Sequence, residues 1–378
     1  MYMHTELLRN AAKFFFFVMT AFVLLFSFSG SSSLFAQEEL PRTEETLEAT
    51  VTRVVWEERV QEEGPAHLFQ VVTLEVTKGS LLGKYIQAEN GGIEASNVQE
   101  YKIGDRVLVV ATKDYSGNDV FFIVDYIRRI PLLVLAAIFA TAVILIGGIW
   151  GLMSLFGMVF SFAVIFLFIL PQLLQGHDPI VIAVIGAAAI IPVTFYLSHG
   201  INIKTHVAIV GTLITLVFIG LFASVFVEFT HLSGFAAEEA GFLQSELLGK
   251  INIKGLLLAG IIISSLGILD DITISQASII KELREANKKM SKIALFKSGM
   301  RVGRDHIASL VNTLVLVYAG ASLPLLLLFV NNPHPFGEVI NYEMIAEEIV
   351  KTLIGSIGLI LAVPITTALA VFYFTKRS

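Results

Sequence analysis

Two kinds of hydrophobic pattern divide the chain. Up to about residue 128 apolar and polar residues alternate in short runs, such as Ala49–Thr50–Val51–Thr52 and Val72–Thr73–Leu74–Glu75–Val76, followed by Arg106–Ala111 and Val120–Val124. Turn residues stand between them at Lys78–Gly79, Gly91–Gly92, Gly104–Asp105 and Ser116–Gly117–Asn118. Alternation bounded by glycine and asparagine turns predicts five or so short strands, and so a small β-barrel-like domain, OB-like being one form it takes. From Pro131 onward the pattern changes to long apolar runs. Seven are long enough to span a bilayer as helices, at 131–149, 152–173, 179–198, 205–227, 254–279, 306–330 and 350–374. The expected fold is therefore a membrane all-α helical bundle of about seven transmembrane helices, preceded by a small β-barrel-like domain.

The N-terminus adds a third region. Arg9 and Lys13 precede an apolar core from Phe14 to Phe28, and Ser29–Ala36 is a stretch of mostly small residues. This predicts a signal peptide over 1–36, with an uncleaved anchor helix as the alternative. The domains then run 1–36, 37–129 and 130–378.

Composition agrees with a bilayer as solvent. Hydrophobic residues make up 55% of the 378 and charged residues 15%, against about 25% charged in soluble domains. The absence of cysteine excludes disulfides, thiolate catalysis and Cys-type zinc sites. A net charge of −6 and the lack of any nucleic-acid-binding motif exclude a nucleic-acid partner. Nor is there a Walker A, HExxH or GxSxG motif, so no catalytic class is indicated and no cofactor is expected.

Charge also predicts orientation. Residues 37–129 carry 10 basic and 17 acidic residues, while the rest of the chain from residue 130 is neutral, with 14 of each. Lys281, Arg284, Lys288, Lys289, Lys292, Lys297, Arg301 and Arg304 crowd one connection, and the 331–349 connection has no lysine or arginine. By the positive-inside rule the crowded connection and the C-terminus are cytoplasmic, which places the β-domain outside the cytoplasm. Arg128 and Arg129 lie on the wrong side for this rule. Two further features are open to more than one reading. Ile201–Asn202–Ile203–Lys204 recurs as Ile251–Asn252–Ile253–Lys254, either as an inverted-repeat trace or by coincidence, and Gly147 with Gly151 makes a GxxxG that would seat a neighbouring helix.

Candidate chemistry concentrates in the fifth run. Its only charges between Lys254 and Lys281 are Asp270 and Asp271, roughly two-thirds of the way along a continuous helix at about 1.5 Å per residue. Gly260, Ser264, Gly267, Asp271, Ser275 and Ser278 recur every three or four residues and share a small, polar face, with Asp270 at its edge. An ionisable group at such depth points to a cation or proton site. The alternative is a tight helix seam, with a break near Leu269 leaving the aspartates among headgroups. The sixth run supplies Asp305, Ser309 and Asn312 on one face, with Arg301 one turn below Asp305 and Arg304 beside it. These either balance the charge of Asp271 or snorkel to headgroups while pairing locally with Asp305. His306 is a candidate proton carrier. Gly355, Ser356, Gly358 and Pro364 make the seventh run small-faced and open to kinking.

Three ordered stretches, SLGILDDITISQAS at Ser265–Ser278, SGMRVGRDHIASLVNTLVLVYAGASLPLLL at Ser298–Leu327 and IAEEIVKTLIGSIGLILAVPIT at Ile345–Thr366, resemble the YibE/F-like family of bacterial multi-pass membrane proteins. The resemblance implies membrane location and about seven spans. It also implies an acid kept at the Asp271 position with small or hydroxyl residues at Ser275 and Ser278, and a variable residue at Asp270. No reaction follows from it.

Three readings result. One is a secondary permease moving a small ion or solute along a path lined by Asp271, Asp270, Ser264, Ser275, Ser278, Asp305, Asn312, Arg301 and Arg304. Another is a membrane scaffold whose external β-domain docks an envelope protein. The third is an intramembrane enzyme using Asp271 with Asp305.

Overall fold

A computed structural model of the chain describes residues 45–60, 67–91, 99–114, 117–236, 238–246, 251–331 and 334–376. The segment read as a signal sequence or anchor lies outside these residues. The described residues fall into two compact units, one reaching to Ala142 and the other starting at Val143.

In the first unit, strands β1 (Glu45–Val60), β2 (His67–Lys78), β3 (Tyr85–Asn90), β4 (Arg106–Lys113) and β5 (Asp119–Tyr126) close into a barrel in the order β1-β2-β3-β5-β4. Every pairing is antiparallel except β3 with β5. Strand β1 serves two partners, pairing with β4 through Glu45–Thr50 and with β2 from Glu48 onward. Register shifts at Glu48/Ala49, Val51/Arg53 and Val54/Trp56 let it bend between them. The alternation read from the sequence is the inward face: Leu47, Ala49 and Val51 meet Val72, Leu74 and Val76, with Ile86, Ala88, Val107 and Val109 completing the core. Among the described residues of the barrel two polar side chains are buried, Glu48 and, more deeply, Gln70. Gln70 donates from Nε2 to Glu57 Oε2 (3.0 Å) and the Tyr101 carbonyl (3.2 Å), and its Oε1 accepts from the Tyr101 N–H (2.9 Å).

The two arginines on the wrong side for the charge rule are both neutralised in this unit. Arg128 pairs with Asp125 and Arg129 with Glu48, and these hydrogen bonds hold both carboxyls below the usual carboxylate range.

The helices of the chain are α1 (Arg129–Val164), continuing through a π turn into α2 (Leu170–Leu174), then α3 (Pro179–His199), α4 (Ile203–Phe229), α5 (Glu238–Glu246), α6 (Ile253–Ala286), α7 (Lys292–Ala321), α8 (Leu323–Val330), α9 (Phe336–Val339) and α10 (Glu343–Lys376). Among the described residues five helical runs are long and apolar enough to cross a membrane: Arg129–Leu174, α3, α4, α6 and α10. The seven predicted runs meet this count in two places. The first two fall within one helical run that bends at Gly148, where φ is 57° and ψ is −138°. The bend is sharp. A Cβ on Gly151 would lie 2.3 Å from the Val143 carbonyl oxygen, whereas residues eight apart in a straight helix are separated by about 12 Å. The sixth run is interrupted, because α7 ends at Ala321 and α8 begins only after Ser322. The connection expected over 280–305 shrinks to 287–291, since α6 extends to Ala286 and Ser291 caps α7 by accepting from the Ala294 N–H.

The recurring Ile–Asn–Ile–Lys has a local cause. In each copy the asparagine is a helix N-cap, Asn202 accepting from the Thr205 N–H (3.1 Å) and Asn252 from the Gly255 N–H (2.9 Å). Helices α4, α6 and α10 pack pairwise to form the centre of this unit, with α3 against α6 and α7 against α10. Close approach needs small residues: Gly211 of α4 faces Thr366 of α10, and Gly358 of α10 faces Ile219 of α4.

Candidate functional site

Helix α6 runs unbroken past Leu269, so the break that would have placed the aspartates at a helix end does not occur. Its inner face is Leu257, Leu258, Ile261, Ile262, Leu269, Ile272 and Ala277, all buried. The small, polar stripe lies on the other side. Gly260, Ser264, Gly267 and Asp271 are exposed, and Ser275 and Ser278 are half-buried. Asp270, read as the edge residue, is turned further in. It is half-buried, and its Oδ1 has neither solvent exposure nor a hydrogen-bond partner. One turn on, the Thr273 hydroxyl lies 2.8 Å from that of Thr212 on α4, with both side chains fully buried.

Depth follows from α3. It runs beside α6 in the same direction: an added Cβ on Gly255 would lie 3.1 Å from Pro179 Cδ, and α4, which follows α3 after a short turn, runs antiparallel to α6, with Gly220 near Ile262 and Thr212 against Thr273. Twenty-one residues make α3, which at about 1.5 Å each match a hydrocarbon core of about 30 Å. Asp270 and Asp271 therefore sit roughly three-quarters of the way through that thickness.

Helix α7 does not bring its polar residues to them. Arg301, Arg304, Asp305, Ser309 and Asn312 are all exposed. Among the described residues no ion pair or hydrogen bond joins Asp271 to Asp305 or to either arginine, and Arg301 does not pair with Asp305. What α7 sends inward is Leu295, Gly299, Gly303 and Leu314. His306 is half-buried, with Nδ1 enclosed and unpartnered.

The polar link between the helices is Gln276. It is fully buried on α6, and its Nε2 donates both to the Gly299 carbonyl of α7 (3.0 Å) and to Thr367 Oγ1 of α10 (2.7 Å). Its Oε1 has no partner. The signal for it was present, an amide inside an apolar run, although two carboxylates five and six residues earlier drew the attention.

A family model described as YibE/F-like protein matches residues 135–376. The chain belongs to the YibE/F-like family. No curated protein and no solved structure matches it. The match takes in nearly all of the helical region and leaves the barrel outside, so family membership speaks for the helices alone.

Within that YibE/F-like region a second charged group was missed by sequence reasoning. Glu347, Glu348 and Lys351 lie in the first turns of α10, the two acids just ahead of the run predicted at 350–374 and the lysine at its start. Lys351 Nζ is 2.6 Å from Glu347 Oε1 and 3.2 Å from Glu348 Oε1. The Glu347 side chain is only 7% exposed, and its Oε2 is unpartnered. Glu348 also accepts from Ser322 Oγ (3.1 Å) in the break between α7 and α8. Beside this contact is a cavity of about 260 Å³ with a mainly apolar lining, including Leu326, Ile345, Ile349 and Leu353, which Tyr318, Ser322, Glu348 and Thr352 interrupt. The available signal was the spacing of the acids three and four residues before a lysine, which pairs them on one helix face.

The two ends of the helical unit differ in charge. Asp178, Glu228, Glu343 and the acids of α5 lie at the end where α4 finishes and α6 and α10 begin. Lys204, Lys281, Arg284, Lys292 and Lys376 lie at the other.

Proposed function

We propose that the helical half is a secondary permease for a small cation or for protons, with a polar path whose stations stand on α6 and α10. The observation that carries this reading is Asp270, a carboxylate on a bundle helix with one oxygen enclosed and unpartnered. An ionisable group in such a place is costly to fold around and is kept where charge must be bound and released. Asp271 and Ser264 on the exposed stripe form one side of the path, and Glu347 with Lys351 form a second station nearer the other end of α6 and α10. The drive comes from an ion gradient.

The same reading takes the chain across the membrane seven times. Arg129–Leu174 makes two crossings about Gly148, and α7 with α8 makes another despite the break at Ser322. The basic end faces the cytoplasm of a bacterial cell, and the barrel, taken as OB-type, lies outside.

Proteoliposomes holding the full chain and an internal pH dye, given an imposed ion gradient, test it. Wild type should accelerate proton or cation flux over empty vesicles. Asp270→Asn should remove that flux, and Asp271→Asn should slow it. Flux in Asp270→Asn equal to wild type would sink the reading.

One observation favours a docking role for the barrel in addition. Trp56, Phe122 and Val124 are each about half exposed, at 49%, 49% and 56%, and apolar groups on a water-facing module are what an envelope protein would cover. Replacing Phe122 and Val124 by serine should abolish crosslinking to that protein while leaving flux intact.

A further inference from the structure

The first half of α7 carries a cluster of cations apart from the stations on α6 and α10, although the sequence placed two of them, Arg301 and Arg304, along the path. Phe296, Lys297, Met300, Arg301 and Arg304 line a cavity of about 380 Å³. The three cations stand at positions i, i+4 and i+7, on one helix face. All are exposed, and none is in an ion pair among the described residues. Three unpaired positive charges side by side repel one another, so the arrangement favours an anion that bridges them.

Its height in the fold narrows the choice of anion. The Gly299 carbonyl is bonded to Gln276, and a Cβ on Gly303 would lie 2.4 Å from Val363 Cγ1 and 3.2 Å from the Gln276 amide. This turn of α7 is therefore level with Gln276, which lies 21 residues beyond Gly255, the residue packed against Pro179 at the start of the 21-residue α3. Since α3 has the length of a membrane crossing, the cradle lies at the boundary of the hydrocarbon. That is the height of lipid phosphates. The lining is of two kinds, cations for a phosphate and the half-buried Phe296 and Met300 for hydrocarbon.

We propose that this cradle binds the phosphate of an anionic phospholipid. Arg301 and Arg304 hold the phosphate oxygens, Lys297 adds charge, and the first carbons of the acyl chains lie on Phe296 and Met300. A free phosphate shares the charge chemistry but makes no use of the apolar wall.

The test is native mass spectrometry of the full chain from micelles containing equal phosphatidylglycerol and phosphatidylcholine, with and without inorganic phosphate. Wild type should retain phosphatidylglycerol in preference, and Lys297→Gln/Arg301→Gln/Arg304→Gln should lower that preference by about tenfold or more. A control removing three exposed charges outside the cavity, Lys288→Gln/Lys289→Gln/Lys292→Gln, should keep it within about twofold. Arg301→Lys/Arg304→Lys should retain part of the preference, which shows that the site has folded. Equal losses in the two triple variants would overturn the site as mere surface attraction. Complete displacement of the lipid by inorganic phosphate would overturn the lipid assignment.

Discussion

Gln276 shows how one side chain can hold three helices. Its amide has no exposure and gives both protons to groups on two other helices, Gly299 of α7 and Thr367 of α10. Gln276→Leu keeps the bulk and removes both bonds, leaving the Gly299 carbonyl without this donor. At about 0.6 kcal/mol for an average interhelical bond in a membrane, and up to about 1.7, the change should cost roughly 1–2 kcal/mol. Because α7 enters the core at few points, the loss should appear as faster hydrogen exchange over residues 292–303 than over α4. Equal exchange in variant and wild type would mean that Gly299 and Gly303 hold α7 by packing alone. Little of this was legible in the sequence. Periodicity placed Asp271 with Ser264 and Gly267 correctly on one face, but a period cannot say whether a face looks into the bundle or out of it. Asp270, assigned to the edge of that face, is the one with an enclosed oxygen.

At the scale of elements, composition located the helices better than it located their ends. The 46-residue run Arg129–Leu174 is strongly apolar and carries no charge after Arg129 to mark a turn. The sequence pattern divides it between 149 and 152, and the backbone of Gly148, in a φ/ψ combination that glycine alone adopts cheaply, fixes the bend there without ending the helical run. Gly151 makes the bend tight. Its missing Cβ would meet a backbone carbonyl, which cannot swing aside as a side chain can. Gly151→Ala should therefore destabilise the detergent-solubilised chain by about 1–3 kcal/mol. Gly147→Ala, whose Cβ would meet nothing within 4 Å, should be neutral or stabilising by up to about 1 kcal/mol. Thermal unfolding of the two variants against wild type checks the pair, and equal midpoints would contradict the bend. The GxxxG read as a seat for a neighbouring helix is thus used at only one of its glycines, against the chain's own preceding turns. Likewise the Ile–Asn–Ile–Lys repeat reports two N-caps, because asparagine before a helix satisfies a free N–H wherever such a helix starts.

For the whole molecule, the separation of charge between the two ends of the helical unit predicts, by the positive-inside rule, an orientation that can be measured directly. The chain has no cysteine, so a single one introduced anywhere is an unambiguous label. Lys288→Cys, at the basic end, should react with a membrane-impermeant maleimide only after the cells are opened. Gly241→Cys in α5, at the acidic end, should react in intact cells. The reverse pattern would invert the proposed topology, and labelling of both in intact cells would rule out a single orientation. The arginines at the start of α1 do not weaken the argument, because Glu48 and Asp125 already neutralise them.

By itself the sequence determined the kinds of structure present: alternating residues make strands and long apolar runs make helices, since period and length are local properties of the chain. It determined the polarity of the chain too, because charge counts need no coordinates. Only the tertiary structure decided which of two adjacent aspartates turns inward and that Gln276 joins three helices. It also decided that Glu347 and Lys351 are shielded, and that Lys297, Arg301 and Arg304 stand together unpaired. Each of these depends on which face a neighbouring helix covers, and that is fixed by contacts between residues far apart in the chain.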